Sequence, residues 1–316
     1  MRKLLKGTGY TLLILFVLFN TMTAFNAYKL THFYNRNEID STPHAGGLHT
    51  AGVIFFGQKS YKSLLKDVPA TPYDTFTVIT PDHVSLAGWH IRPDTVINGT
   101  VLLFHGHAGC RSDVVKEADA FHRMGYDVYL VDFRAHGVSE GNVCTVGYDE
   151  SKDVKALYDY ALAKGADKKR MVLWGISMGA ATVMKAVSDF DLKPGKLILE
   201  MPFGSLLDAV KGRLHIMQLP PEPLSTFLTF WGGTEQGFWA FGHKPWEYAR
   251  KINCPVLLQW GIHDPRVTEA ETHHIFQNID TPHKTLIKYA NSGHESLYKK
   301  EPGKWQTVVG EFLQQQ

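Results

Sequence analysis

The sequence predicts an α/β fold in which a mostly parallel central sheet carries helices on both faces. Runs of apolar and β-branched residues recur along the chain, and amphipathic helical patterns separate most of them. Continuous apolar strands that alternate with helices must be covered on both sides, which is typical of a parallel sheet. At 316 residues the chain is long enough for one large domain of this class with an appendage.

The first thirty residues are predicted to form a membrane segment. Three basic residues near the start precede 22 uncharged residues, 7–28, whose dense apolar core runs from Tyr10 to Phe19. As a helix this stretch would reach about 33 Å, enough to cross the hydrocarbon core of a bilayer. Basic residues ahead of such a segment favour a cytoplasmic N-terminus and a non-cytoplasmic body. We therefore expect residues 1–30 to be a signal anchor of a single-pass membrane protein.

A cleaved signal peptide is the main alternative for this segment, and a buried helix is another. Cleavage would leave a secreted or periplasmic protein. The small residues Ala24 and Ala27 have Met22 and Phe25 two places upstream, which makes a poor cleavage site. The sequence leaves all three interpretations open.

Residues 31–70 are expected to be a linker and lead-in to the folded body, residues 71–316, and STPHAGGLH (41–49) has the composition of a loop. No helical pattern separates the first two predicted strands of the body, so we expect them to form an antiparallel hairpin. The predicted strands are 76–80, 84–91, 100–104, 128–131, 171–174, 197–199, 256–260 and 285–289. The predicted helices are 113–124, 150–163, 178–187, 268–278 and 304–313.

Residues 203–250 break this alternation and are predicted to form a small inserted cap. The segment is rich in proline and turn residues. Such a cluster of aromatic side chains forms either the core of the insert or the lining of a substrate pocket, and both interpretations stay open. Its large aromatic residues are Phe227, Phe230, Trp231, Phe238, Trp239, Phe241 and Trp246.

The stretch VLWGISMGAA, residues 172–181, places a serine at a strand-to-helix turn. Gly175 and Gly179 remove the side chains that would collide as the chain reverses, which leaves the Ser177 hydroxyl exposed. The Met178 N–H then lies at a helix N-terminus, where unpaired donors and the helix dipole favour a developing oxyanion. An ordinary helix-capping serine is the structural alternative.

Two residues of the right chemistry follow later predicted strands. Asp264, in LLQWGIHDPRV, and His294, in KYANSGHESL, both come at carboxyl ends of strands, where open parallel sheets build their sites. A serine at its free pKa needs such a base and an orienting carboxylate. Upstream, VLLFHGHAG ends a strand at His105 and Gly106, and this loop can turn a backbone N–H toward the same place.

Together these residues resemble the α/β-hydrolase superfamily. HGHAGCRSD, YLVDFRAHGVSEG, WGISMG, GIHDPRV and SGHES are similar to its successive landmarks, over roughly residues 75–315. The resemblance is strongest to the branch of monoglyceride-lipase-like and serine-aminopeptidase-like proteins with an N-terminal membrane segment. It implies Ser177 as nucleophile, His294 as general base and Asp264 as the orienting carboxylate. It also implies the backbone N–H groups of Met178 and His107 as the oxyanion hole.

Other interpretations compete at several of these positions. Asp264 precedes a proline and is also a typical turn residue. Glu200 ends a strand and is the rival acid of the triad. Asp132, Arg134 and His136 are expected to fix a loop near the site. A metal site at His105 and His107, or at His273 and His274, lacks a third ligand in the sequence, so we expect no metal and no cofactor.

The predicted function is cleavage of carboxylic esters with apolar or lipid-like acyl groups through an acyl-enzyme. The expected partners are a small-molecule acyl ester and, through the N-terminal helix, a membrane. With 33 basic and 31 acidic residues, the chain carries no electrostatic footprint for nucleic acid. The oligomeric state is not predicted.

Two rival functions stay open at this point. A serine aminopeptidase for short peptides would need acidic groups that hold a free amine, and Glu222, Glu235 and Glu247 of the cap are candidates. A non-catalytic binding protein with the same fold would be expected to lack a member of the triad, whereas all three residue types occur in order.

Overall fold

An eight-stranded sheet forms the centre of the computed structural model, which describes residues 2–35, 47–94 and 97–315. A separate two-stranded pair comes first in the chain, β1 (Phe33–Tyr34) with β2 (Ser60–Tyr61). The strands of the large sheet are β3 (Asp74–Ile79), β4 (Ser85–Ile91), β5 (Thr100–Phe104), β6 (Asp127–Val131), β7 (Met171–Ile176), β8 (Lys196–Glu200), β9 (Val256–Gly261) and β10 (Lys284–Tyr289). They are ordered β10-β9-β8-β7-β5-β6-β4-β3.

The sheet is mostly parallel, as predicted. Only β4 runs against its neighbours, pairing antiparallel with β3 and with β6, whereas all other pairs of the large sheet are parallel. The predicted hairpin of the first two strands is thereby confirmed. All eight predicted strands are present, with ends that differ by no more than two residues.

The helices number eleven within the described residues, and those predicted for the body are all present. Every residue of β5 is buried, and since alternate residues point to opposite faces, both faces of the sheet are covered. The helices are α1 (Arg2–Thr31), α2 (Gly47–Phe56), α3 (Val115–Arg123), α4 (Ser151–Ala163), α5 (Met178–Phe190), α6 (Leu206–Ile216), α7 (Leu224–Gln236), α8 (Pro245–Tyr248), α9 (Glu269–Asn278), α10 (Leu297–Lys300) and α11 (Pro302–Gln314).

The insertion predicted at 203–250 lies between β8 and β9. It contains α6, α7 and α8, and α6 packs against α7. Leu214 of α6 and Leu228 of α7 form a small apolar cluster that also includes Ala27 of α1. The cap therefore builds its core partly from the N-terminal helix.

The N-terminal helix α1 has two different environments along its length. Its segment Gly7–Thr31 is long and apolar enough to cross a membrane by length and composition. Leu12 to Leu18 leave about half of each side chain exposed. Further along, Phe19 packs edge-on against Phe227 of α7 at 5.1 Å between ring centroids, and the Trp231 indole N–H donates to Asn20 Oδ1. The second half of α1 is thus docked on the cap.

The lead-in between α1 and β3 holds more structure than a plain linker. It contains α2 and the parallel pair of β1 with β2. Phe33 is buried, and its ring lies 4.8 Å from that of His136, so this segment reaches the body of the protein. The loop expected at 41–49 lies mostly outside the described residues.

Candidate active site

Ser177 sits at a sharp turn between β7 and α5. Its backbone is in a strained conformation, φ 54° and ψ −118°, which a residue with a side chain rarely adopts. Its N–H donates to the Glu200 carbonyl oxygen of the neighbouring strand at 2.7 Å. The side chain makes no capping hydrogen bond to the helix, so Ser177 does not act as an ordinary helix-capping serine.

The backbone around Ser177 is packed so closely that there is no room for a side chain at Gly175 or Gly179. A Cβ on Gly175 would lie 2.6 Å from the Gly179 carbonyl carbon, and a Cβ on Gly179 would lie 2.2 Å from the Phe104 carbonyl oxygen. Real Cβ atoms are not found so close to backbone atoms. The glycines therefore let the first turn of α5 pass directly over the end of β5, and this packing holds the bend at Ser177.

Ser177, His294 and Asp264 meet above the carboxyl ends of the strands. His294 Nε2 lies 2.8 Å from Ser177 Oγ, and His294 Nδ1 lies 2.7 Å from Asp264 Oδ2. Asp264 follows β9 and His294 follows β10, so three separate strands bring the chain of hydrogen bonds together. These are the distances at which an imidazole can move a proton from a hydroxyl.

Asp264 is both a turn residue and the partner of the histidine. Its Oδ1 accepts the N–H groups of Arg266 and Val267 at 2.7 and 2.9 Å, which leaves Oδ2 free to face His294. The Asp264 side chain is 0% exposed. The carboxylate is therefore held rigidly by the turn that the Asp-Pro sequence forms.

Glu200, the rival acid, faces away from His294. Its Oε1 accepts the indole N–H groups of Trp174 and Trp305 at 3.0 and 2.6 Å and the amide of Gln259 at 3.2 Å. Burial raises the pKa of the Glu200 carboxyl to about 8, with a further contribution from the nearby Glu117. Burial therefore favours the protonated form of Glu200, which packs in the core, and Asp264 is the carboxylate beside the imidazole.

The loop after β5 lies next to Ser177. A Cβ on Gly106 would be 3.6 Å from Ser177 Cβ. Within the described chain the N–H groups of His107 and Met178 have no backbone acceptor, as expected for Met178 because it opens a helix. Both residues line the cavity above Ser177. The two predicted oxyanion donors are therefore beside the hydroxyl.

Two buried histidines pin this loop. His105 Nε2 accepts the Phe133 N–H at 3.0 Å and its Nδ1 donates to the Gly106 carbonyl, whereas His136 Nε2 accepts the Ala108 N–H at 3.1 Å. Burial lowers the pKa of His105 to about 4, so its ring is neutral and fits these roles. The hydrogen bond from the Ala108 N–H to His136 agrees with the expectation that His136 fixes this loop.

Asp132 and Arg134 hold neighbouring segments. Asp132 accepts the backbone N–H of Arg111 at 2.7 Å and that of Val138 at 3.0 Å, and it also pairs with the Arg111 guanidinium. Arg134 pairs with Asp82 and with the buried Asp153. Asp132 therefore fixes the loop after β5, while Arg134 ties the end of β6 to α4.

A cavity of about 340 Å³ opens above Ser177 and His294. Its walls are largely apolar and come from the cap, from the loop 145–146 and from α1. α1 contributes Ala27, Leu30 and Thr31, and Phe238 is the cavity's one residue from the predicted aromatic cluster. The other six do not line it: Phe227 packs on Phe19 of α1, Trp246 stacks on His274, and Phe230 and Trp239 are exposed.

The two arginines on this cavity were not predicted from the sequence. Arg213 of α6 and Arg266 of the loop after β9 both line it. Arg266 lies two residues after Asp264. This closeness in sequence to a predicted site residue is the one signal that could have pointed to Arg266. Nothing in the sequence places Arg213 there.

The cap glutamates lie away from this cavity. Glu222 pairs with Lys211, and Glu247 pairs with Lys244. Glu235 lines a different cavity, between α1 and Trp231. In the described ranges there is also no group of three or more His, Cys, Asp or Glu side chains arranged to hold a metal; His273 pairs with Glu269, and His274 stacks on Trp246.

Comparison with known proteins assigns the chain to a family. The profile of the family described as serine aminopeptidase, S33, matches residues 95–219. The membrane protein YNL320W of Saccharomyces cerevisiae is 32% identical over 254 residues, which cover 78% of this chain and 81% of the yeast protein. The chain belongs to the α/β-hydrolase superfamily.

Two further proteins are similar to this α/β-hydrolase and indicate its type of activity. The esterase Pf2001 of Pyrococcus furiosus matches its fold with a TM-score of 0.64 over 80% of this chain and 98% of the esterase, at 24% identity. The lysophosphatidylserine lipase ABHD12 of Xenopus tropicalis is 26% identical over 200 residues, 60% of this chain and 48% of that lipase. The family and these relatives support hydrolase activity of an esterase or lipase type.

Proposed function

We propose that this α/β-hydrolase cleaves carboxylic esters through a covalent acyl-enzyme on Ser177. The observation that carries the proposal is the continuous chain of hydrogen bonds from Ser177 Oγ through His294 to Asp264. A hydroxyl on a strained turn, a base within reach and a buried carboxylate behind it are the parts that nucleophilic acyl transfer requires.

The proposed reaction has two halves. His294 takes the Ser177 proton as Oγ attacks the ester carbonyl, and Asp264 stabilises the imidazolium. The backbone N–H groups of Met178 and His107 receive the oxyanion. The imidazolium then protonates the departing alcohol, leaving an acyl-serine. His294 takes a proton from water as the water attacks this ester. The acyl carbon–Oγ bond then breaks, the imidazolium returns the proton to Ser177 Oγ, and the carboxylic acid is released.

The cavity supports an apolar acyl group in the substrate. Its wall includes Ala27 and Leu30 of the apolar helix α1 and Leu228 of the cap, so the docked end of the predicted membrane segment forms part of the cavity. A relative described as a lysophosphatidylserine lipase supports the same substrate class.

The cavity argues against the aminopeptidase alternative. No Asp or Glu is among the described residues that line it, whereas Arg213 and Arg266 are. A free amine would be repelled by these two cations and would find no carboxylate. Ester cleavage is therefore the better assignment, although the family carries the name of a peptidase.

Membrane attachment through α1, with the body on the non-cytoplasmic side, is part of the proposal. The length and exposed apolar surface of α1 support it, as does the membrane-protein description of the yeast relative.

After detergent-free lysis and a high-salt wash, full-size protein should stay with the membranes, and protease outside sealed right-side-out vesicles should digest the body. Full-size protein in the soluble fraction would contradict the anchor, and a protected body would contradict the orientation.

A fluorophosphonate probe tests the catalytic assignment. The wild-type protein should be labelled covalently, Ser177→Ala should not be labelled, and His294→Ala should be labelled much more slowly because its serine has lost the base. Ser188→Ala, which removes another serine of α5, is the matched control and should be labelled like the wild type. Folded wild-type protein that takes up no label would favour the non-catalytic alternative.

A further inference from the structure

Arg213 and Arg266 form a pair of cations on the cavity that contains Ser177. Both side chains are solvent-accessible, and both line the same cavity as Ser177, His107 and His294. They come from different parts of the chain, one from the cap and one from the loop that carries Asp264. An anion that enters this cavity can therefore reach both.

The backbone holds the two arginines together. A Cβ on Gly212 would lie 2.2 Å from the Arg266 carbonyl oxygen, so α6 packs directly on the Arg266 loop at the residue before Arg213. This contact cannot relax by movement of a flexible side chain, because both partners are main chain. The packing of the cap on the body thus brings the main chain next to Arg213 against that of Arg266, and both side chains line the cavity.

No protein carboxylate compensates this pair among the described residues. Neither guanidinium has a salt bridge or a side-chain hydrogen bond there, unlike Arg111 and Arg134, which pair with aspartates. Partial desolvation lowers the pKa of Arg213, and the charge of Arg266 lowers it further. The fork of donors on each guanidinium suits the oxygens of a phosphate or carboxylate, and an anion in the cavity would find both without a competing protein carboxylate.

We propose that Arg213 and Arg266 form a subsite for an anionic group of the substrate, so that the preferred esters are acyl amphiphiles carrying a phosphate or carboxylate. This inference rests on the proposed ester hydrolysis and adds a charge requirement to it. The apolar wall from α1 and the cap receives the acyl chain, while the arginine pair receives the charged part. Both features occur on one cavity, which matches a substrate with one apolar and one anionic end.

Two substrates that differ only in the presence of a phosphate group test the subsite. The assay compares kcat/KM of the full-length enzyme in detergent for 1-lauroylglycerol 3-phosphate and for 1-lauroylglycerol. The ratio of kcat/KM for the phosphorylated substrate to kcat/KM for 1-lauroylglycerol should fall about 10-fold in Arg213→Gln and about 10-fold in Arg266→Gln. It should fall about 100-fold in the double variant, because each substitution removes a charge-assisted contact. Lys211→Gln, on the same helix but paired with Glu222 outside the cavity, should keep the wild-type ratio.

Equal losses on both esters in the arginine variants would overturn the proposal, since the pair would then serve the fold or the oxyanion. Binding of lauryl phosphate to Ser177→Ala, followed by calorimetry, provides a readout that needs no turnover. It should weaken about 10-fold or more with each arginine change. Inorganic phosphate that binds as tightly as lauryl phosphate would contradict a substrate subsite. If no ester is cleaved while this binding is seen, the proposed hydrolysis fails and the anion site stands.

Discussion

The end of the sheet that carries Ser177 and the cap that covers it are built in different ways. At the sheet, each residue of the proposed triad comes within about five residues of the end of a strand, and Asp264 is fixed by its turn with Arg266 and Val267. The cavity above it is assembled from α1, α6, α7 and the loop after β9, which are far apart in sequence. The proposed triad thus lies at positions that short sequence patterns mark, whereas the cavity depends on packing between distant segments.

This difference makes a prediction about variants. A change at the sheet edge should lower the rate for every substrate alike, because it removes a step common to all. A change on the cap side should alter the relative rates of substrates, because it changes only what fits. The variants that follow test this contrast in order of decreasing effect.

Asp264→Asn should have the largest effect, a fall in kcat of about 10³- to 10⁴-fold, because the amide no longer stabilises the imidazolium or selects its tautomer. The loss should be the same for short and long acyl esters, measured by steady-state kinetics. Glu200→Gln, which changes the rival acid in the same way, should keep kcat within about 3-fold. A larger fall in kcat for Glu200→Gln than for Asp264→Asn would make Glu200 the functional acid.

Gly179→Ala should be strongly destabilising, since its Cβ would meet the Phe104 carbonyl oxygen at 2.2 Å. We expect a loss of about 3 kcal/mol or more in the free energy of unfolding, measured by urea denaturation. Gly303→Ala, where nothing lies within 4 Å of the added Cβ, is the matched control and should change stability by less than about 1 kcal/mol. Similar losses in both would mean that the close approach of α5 to β5 is not required.

The sequence predicted the sheet-edge half of the molecule well, for a physical reason. Strand and helix periodicity, the two glycines around Ser177 and the positions of Asp264 and His294 after strands are all short-range features. Parallel strands then bring their carboxyl ends to one edge. The eight strands, the hairpin and the meeting of the three side chains follow from these features.

The cap half could not be predicted in the same way. The apolar pattern of α1 fits a membrane span, and it does not reveal that Ala27 and Leu30 also line the cavity. From the sequence alone, Arg213 cannot be told from any solvent-exposed residue of a helix. Its place on the cavity follows from the packing of Gly212 on the Arg266 loop. Aromatic residues of the cap were equally consistent with a core or a pocket, and only three-dimensional packing separates Phe238 from the rest.

Gly232→Leu should change substrate choice. Gly232 of α7 lines the cavity, and nothing lies within 4 Å of an added Cβ, so the new side chain has room to extend into the cavity. We expect kcat/KM for a lauroyl ester to fall about 10-fold relative to that for an acetyl ester, measured with the same alcohol. Gly303→Leu, far from the cavity on α11, is the control. An unchanged ratio would contradict the assignment of this cavity to the acyl chain.

Glu200→Gln should have the smallest effect, visible only in the pH dependence of stability. The pKa of Glu200 is raised from its ordinary value of 4.5 to about 8, so the folded protein retains a proton that the unfolded chain releases. Its stabilising contribution is fully present below about pH 4.5 and is lost as the pH rises through about 8. The melting temperature of the variant should therefore rise relative to wild type by about 2 °C or more between pH 5 and pH 9. A constant difference across this range would mean that Glu200 is ionised in the core.

The central claim is that the acyl group is carried by Ser177, and mass spectrometry of the acid-quenched enzyme tests it most directly. Trypsin should release Met171–Lys185, in which Ser177 is the sole serine. After rapid mixing with an activated lauroyl ester, we predict that this peptide gains the mass of one lauroyl group on Ser177, that the adduct disappears as substrate is exhausted, and that Ser177→Ala gives none. Continued turnover with the acyl group on another residue, or with no adduct in a quench faster than one turnover, would contradict the account.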